Sequence, residues 1–156
     1  MTNILKCRQI HDDSLKKSDE THAEYHKRIK NEFLYNVFNN EYKFRGKPIR
    51  FKKYVNQNKE VECFYHITTE DNGKGGRRLS IDRYESCLLV FLILDECVCD
   101  KVSCQCITIK ADYNNAEKIS IYCSRYNYVI ILKPRKNSVD FITAFPLNGN
   151  GESKYL

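Results

Sequence analysis

Three short segments near the carboxyl end most strongly limit the folds open to this chain. KISIYCS (118–124), YVIILK (128–133) and SVDFITAF (138–145) are rich in β-branched and aromatic residues, which are typical of strands. PRKN (134–137) joins the last two and has the composition of a turn. These segments predict an antiparallel meander, and VECFYHITT (61–69), of similar composition, predicts a further strand that carries His66.

The amino-terminal half contains a helical pattern instead. Over residues 18–40, apolar side chains recur at a spacing of 3.6 residues, at Ile29, Phe33, Leu34, Val37 and Phe38. A second helix is predicted over SIDRYESCLLVFLILDE (80–96), where a strand over 88–94 is the alternative. Gly46 and Pro48 argue against helix in the segment between 43 and 53.

The predicted fold class is therefore α+β, with N-terminal helices packed on a four- to five-stranded antiparallel sheet. Residues 1–17 are polar and are predicted to be a flexible amino-terminal arm. Residues 18–156 are predicted to form a single domain, long enough to bury a core. The longest apolar run, CLLVFLIL (87–94), is too short to cross a bilayer, and no signal-peptide core is present, which favours a soluble, cytoplasmic protein.

Positive charge is concentrated in the first 60 residues. These hold 14 Lys and Arg against 8 Asp and Glu, whereas residues 61–156 hold 12 of each. KFRGKPIRFKK (43–53) has six basic residues and no acidic one, a composition that attracts a polyanion such as RNA. Lys47, Arg50 and Lys52 are the predicted contacts, and a solvated basic loop is the alternative.

Four of the eight cysteines lie in CVCDKVSCQC (97–106). If Cys97–Cys99 and Cys104–Cys106 lie on the two arms of a hairpin, all four sulfurs face one side and suit a structural zinc ion. Reduced thiols packed as small apolar groups, or disulfides, are the alternatives. A closed site with four thiolates would leave the metal no open position for catalysis.

The residues best suited to chemistry surround His66 in the sequence. Lys74, Arg77 and Arg78 follow in a glycine-rich loop, and Arg83 begins the second helix. An imidazole moves a proton, a guanidinium neutralises charge on phosphoryl oxygens, and a hydroxyl donor such as Thr143 orients the phosphate. Tyr128, on a neighbouring strand, is a further predicted substrate contact. In RNA the 2′-hydroxyl is itself the nucleophile, so catalysis by this set requires no cofactor. A Gly-x-Ser-x-Gly elbow and a Walker lysine loop are both absent from the sequence.

The order of FRGK, FYHIT, the glycine-rich gap, IDRYE, YVIIL and FITAFPL resembles phage- and mobile-element-associated nuclease-like proteins of the barnase/EndoU/colicin/RelE superfamily. The resemblance covers roughly residues 20–156. It implies a RelE/barnase-like domain and a toxin-like, metal-independent ribonuclease, with a protein inhibitor (antitoxin) as a partner. It also implies roles for His66 as acid or base, for Arg83 with Arg77 or Arg78 on phosphate, for Thr143 as donor and for Lys154 in closing the site. Ser80 and Ser86 stand where the resemblance leads us to expect an acidic residue and a second arginine.

Two functions without catalysis remain open from the sequence. In one, the basic run 43–53 and exposed tyrosines bind nucleic acid. In the other, the cysteine segment is a contact surface, stiffened by zinc, of a phage or mobile-element protein-interaction module.

Overall fold

The computed structural model describes residues 3–112 and 117–147. In these ranges the helices are α1 (Asn3–Ser14), α2 (His22–Asn39), α3 (Glu62–Thr68), α4 (Ile81–Ser86) and α5 (Leu89–Leu94). The strands are β1 (Lys43–Phe44), β2 (Lys47–Arg50), β3 (Thr69–Asp71), β4 (Arg77–Leu79), β5 (Ile107–Asp112), β6 (Lys118–Cys123), β7 (Tyr128–Pro134) and β8 (Val139–Pro146). The α+β class is therefore confirmed.

The main sheet has six strands, in the order β1-β2-β8-β7-β6-β5. The predicted meander β6–β7–β8 is antiparallel, as expected, but β2 pairs with β8 in parallel. The prediction of a purely antiparallel sheet of four to five strands is therefore wrong in strand number and direction.

The extra strands come from sequences with weak strand signals. Phe44 pairs with Lys47 across a two-residue turn, and both turn residues, Arg45 and Gly46, have positive φ angles of 50° and 81°. Positive φ at both positions is the type I′ geometry that closes tight hairpins. The turn therefore allows the first part of the basic run, which resembles a loop in the sequence, to pair as β1 and β2.

The predicted strand over 61–69 is wrong, because most of this segment is helix α3. Cys63, Phe64, Ile67 and Thr68 are buried, a spacing that places them on one face of a helix. Burial of that face overrides the strand preference of the β-branched and aromatic residues. His66 therefore lies on a helix, and the sheet pairing begins only at Thr69.

Helix α2 begins at a capping box and buries one apolar face. The Thr21 side chain accepts a hydrogen bond from the Glu24 backbone, and the Glu24 side chain accepts one from the Thr21 backbone. Tyr25, Ile29, Phe33 and Val37 are buried. Helix α2 packs against α3 and α4, and Phe33 also contacts Phe91 on α5. The second predicted helix is present as two pieces, α4 and α5, and α5 is buried on all sides.

Residues 3–14 form helix α1, where the sequence predicts a flexible arm. Helix α1 packs against α5, and Arg28 donates hydrogen bonds to the carbonyls of Asp13, in the last turn of α1, and of Leu15, just after it. His11 also stacks on Tyr126, with ring centroids 4.2 Å apart. These contacts come from distant parts of the chain, so the polar sequence of α1 does not reveal them. The division of the chain at residue 17 stays a prediction.

In residues 3–112 and 117–147, no helix combines the length and the apolarity needed to cross a membrane.

Candidate anion-binding site

Two arginine side chains meet at Thr69, where α3 passes into β3. Arg77 donates from Nη2 to the Thr69 carbonyl at 2.7 Å and from Nε to Thr69 Oγ1 at 2.7 Å. Arg83 donates from Nη1 to the same carbonyl at 3.2 Å. Arg77 also donates to the His66 carbonyl at 3.1 Å. Both guanidiniums are therefore held beside the helix that carries His66.

Neither guanidinium is neutralised by a carboxylate in the described part of the chain. The ion pairs there include one between Arg78 and Glu70, at 3.1 Å, but none to Arg77 or Arg83. Burial lowers the pKa of Arg83; Glu70 opposes that shift, and the neighbouring charge of Arg77 adds to it. Two adjacent positive charges with no ion-pair partner among the described residues create a local potential that an anion would relieve.

The hairpin β3–β4 and the start of α4 fix this arrangement. The pairing of Asp71 with Arg77 and of Thr69 with Leu79 returns the chain to Thr69. Ser80 then accepts a hydrogen bond from the Arg83 backbone and caps α4, which places Arg83 in its first turn. The arginines are six residues apart in the sequence and reach one carbonyl from two different elements.

His66 is half-buried on α3, beside the two arginines. Burial lowers its pKa below the ordinary value of 6.5, and Arg77 lowers it further; Glu62 opposes the shift, while Arg83 and Lys52 add to it. A lowered pKa means that the imidazole is neutral at pH 7 and can accept a proton.

We expect Arg77→Gln to raise the pKa of His66, because the substitution removes the positive charge that most strongly opposes protonation of the imidazole. Arg78→Gln is the matched control, since Arg78 is exposed and paired with Glu70. Titration of the imidazole by NMR measures both variants. An unchanged pKa in Arg77→Gln, or an equal rise in Arg78→Gln, would contradict the proposed arrangement of charges.

Thr143 is connected to this site through its neighbour Phe145. The two residues are two positions apart on β8 and face the same side of the strand. Arg83 lies over the Phe145 ring, 5.3 Å from its centroid, and both α3 and α4 pack against β8. Thr143 Oγ1 is buried and has no hydrogen-bond partner among the described residues. Phe145 is not among the site residues predicted from the sequence, although its alternation with Thr143 is visible in FITAF.

Tyr128 is fully buried, so the prediction that it contacts substrate is wrong. It belongs to the core face of β7, together with Ile130 and Leu132. Alternation along β7 divides its residues between two faces of the sheet, but it does not show which face the helices cover.

The other residues predicted to contact RNA differ in their surroundings. Lys52 is close enough for its charge to lower the pKa of the imidazole. Lys74 is exposed in the β3–β4 turn, and the exposed Arg78 is engaged by Glu70. Lys47 and Arg50 are exposed on β2, where Lys47 donates to the Arg135 carbonyl. Lys154 lies outside the described residues.

The cysteine segment does not form the predicted hairpin. Asp95 and Asp100 accept backbone hydrogen bonds from Cys97 and Val102, so that residues 95–106 form successive turns. Cys97 is exposed, Cys99 is buried, and Cys104 and Cys106 are partly buried. Within 3–112 and 117–147, no three His, Cys, Asp or Glu side chains are grouped to hold a metal ion. The structural zinc ion stays a prediction, although the hairpin on which that prediction was based is not formed.

A separate cavity, of about 270 Å³, lies between α1, α2 and α5. Asp13, Glu32 and Asp95 are among the residues that line it. Three carboxylates make this cavity unfavourable for a phosphate, which leaves the arginine pair as the better candidate for an anion.

Comparisons with protein-family models, with curated proteins and with solved structures gave no match for this chain. The superfamily resemblance therefore stays a prediction, and the functional argument depends on the site itself.

Proposed function

We propose that this protein is a toxin-like ribonuclease that cleaves RNA without a metal ion, at the site formed by His66, Arg77 and Arg83. The observation that carries the proposal is the pair of guanidiniums at Thr69, which forms no ion pair with a carboxylate of the described residues and lies beside an imidazole whose pKa is lowered. A phosphodiester of RNA supplies the missing negative charge. The 2′-hydroxyl of the adjacent ribose supplies the proton that a neutral imidazole can accept.

In the proposed reaction the scissile phosphate binds to Arg77 and Arg83. His66 accepts the proton of the 2′-hydroxyl, and the 2′-oxygen forms a bond to phosphorus as the bond to the 5′-oxygen breaks. The 5′-oxygen then takes a proton from the imidazolium, which returns His66 to its neutral form. The products are a 2′,3′-cyclic phosphate and a 5′-hydroxyl end. The guanidiniums stabilise the charge that develops on the phosphoryl oxygens.

Thr143 is the proposed hydroxyl donor to the phosphate. Its oxygen has no partner in the described residues but is buried, so this role requires the side chains that cover it to move when RNA binds. The two positions that depart from the resemblance have structural roles. Ser80 caps α4, and Ser86 donates to the Asp82 carbonyl. The proposed chemistry assigns no step to either position.

A second candidate function is RNA binding without catalysis. The exposed basic side chains of residues 43–53 favour it, because contacts to phosphates need no proton transfer. A cytoplasmic location and a protein inhibitor that covers the site are part of the first proposal, since an active ribonuclease must be restrained in the cell that makes it.

The ends of the RNA fragments distinguish the two functions. We expect purified protein in EDTA to convert tRNA or mRNA into fragments that end in a cyclic phosphate and begin with a 5′-hydroxyl. The same RNA with 2′-O-methyl groups should bind but stay intact, since its nucleophile is blocked. Cleavage of the methylated RNA would contradict the mechanism, and binding without cleavage of either RNA would support the second function.

A further inference from the structure

A surface next to the candidate site combines unpaired positive charge with exposed aromatic rings. We call it the Lys53 patch and define it by Phe38, Arg50, Lys52, Lys53 and Tyr54. Its three basic side chains are exposed, and the ion pairs of the described residues include none of them. An exposed cation is common, but three without a carboxylate partner make a local field that attracts a polyanion.

The aromatic rings of the patch are open to solvent. Phe38, at the end of α2, is 52% exposed, and Tyr54 is 58% exposed. Lys53 Nζ lies 5.8 Å from the centroid of the Phe38 ring.

The patch is attached to the helix that carries His66. The backbone of Cys63 donates to the Lys52 carbonyl at 3.0 Å, and that of Glu62 donates to the Tyr54 carbonyl at 2.8 Å. Residues 52–54 are therefore bound to the first turn of α3, and His66 lies one turn further along the same helix. A strand of RNA that runs from His66 toward the first turn of α3 reaches the patch next.

We propose that the Lys53 patch binds unpaired nucleotides on one side of the cleavage site, with bases stacked on Phe38 and Tyr54 and phosphates held by Arg50, Lys52 and Lys53. The proposal rests on the proposed function in taking RNA as the ligand. It adds that the substrate is single-stranded, because a ring can stack on a base only when the base is not enclosed in a duplex. Charge complementarity favours a polyanion, since the run 43–53 contains no acidic residue. The exposed rings of Phe38 and Tyr54 favour one that carries bases.

Binding of a labelled decanucleotide with 2′-O-methyl groups tests this inference, because that RNA cannot be cleaved. We expect Phe38→Leu to weaken binding about tenfold, within the effect of losing one stacked base, and Phe38→Tyr, which keeps a ring, to bind like the wild-type protein. Lys53→Gln should reduce the slope of log affinity against log salt by about 0.7, as expected for one lost phosphate contact on a single strand. Lys27→Gln is the matched control, since Lys27 is an exposed lysine on α2 away from the patch, and it should leave the slope unchanged.

Wild-type affinity in both Phe38→Leu and Lys53→Gln would overturn the inference, and so would equal binding of a duplex of the same length. Loss of a co-purifying protein partner with unchanged RNA affinity would assign the patch to that protein and also overturn it. These outcomes are distinct from failure of the proposed function, in which the decanucleotide binds through the patch but no unmodified RNA is cut.

Discussion

We expect His66→Ala to lower the rate of RNA cleavage by about 10²–10⁴-fold, the usual effect of losing a positioned acid–base group. The substitution removes the imidazole but keeps the backbone carbonyl, and it is the carbonyl that accepts the hydrogen bond from Arg77. The arginine pair at Thr69 should therefore stay in place. RNA affinity should change little while the rate of the chemical step falls, which single-turnover kinetics can separate.

His22→Ala is the matched control for this experiment, because His22 is exposed in the first turn of α2, distant in sequence from the site. It should cleave RNA at the wild-type rate. Cleavage by His66→Ala at the wild-type rate would reject His66 as the proton carrier. Equal losses in both variants would show that the assay follows stability and not chemistry.

The second large effect concerns the core that holds α3 in place. Phe33 on α2 is fully buried, and its ring lies 5.3 Å from that of Phe64 on α3 and 4.9 Å from that of Phe91 on α5. Phe33→Ala removes a ring shared by three helices, so we expect the free energy of unfolding to fall by about 3–5 kcal/mol. Urea denaturation followed by circular dichroism measures the change.

Phe38→Ala, in the same helix, is the control for that measurement. Because Phe38 is largely exposed, its loss should change the free energy of unfolding by no more than about 0.5 kcal/mol. Similar losses in the two variants would contradict the packing of α2. They would also show that Phe38 has a structural role, which would weaken its use as a probe of RNA binding.

The sequence predicts well those helices and strands whose secondary structure follows from the residue pattern within the segment itself. Helix α2 has a regular apolar spacing and a capping box, and the segments at 118–124, 128–133 and 138–145 became β6, β7 and β8 with small changes in bounds. Helix α3 was missed because its residues prefer strands in isolation, and only the core shows that one helical face is buried. Strands β1 and β2 were missed because their pairing depends on the turn at Arg45 and Gly46.

The candidate site was predictable in its residue types but not in its geometry. His66, Arg77 and Arg83 were selected because phosphodiester chemistry needs an imidazole and guanidiniums. Their meeting at the Thr69 carbonyl depends on the register of the β3–β4 hairpin, which no local pattern encodes, although the helix start at Ser80 was predicted. The predicted substrate contact of Tyr128 is wrong for a different reason. Alternation along a strand does not show which face of the sheet the helices cover.

The most direct test of the account is the pKa of His66, measured by NMR in the free protein and with a saturating 2′-O-methyl dinucleotide. Such a ligand carries one phosphodiester and cannot be cleaved. The account predicts a pKa below 6.5 in the free protein, because of burial and of Arg77, and a rise when the phosphate binds, because its negative charge favours the imidazolium. A pKa that the bound dinucleotide leaves unchanged would contradict the claim that His66 and the two arginines form one site for a phosphodiester.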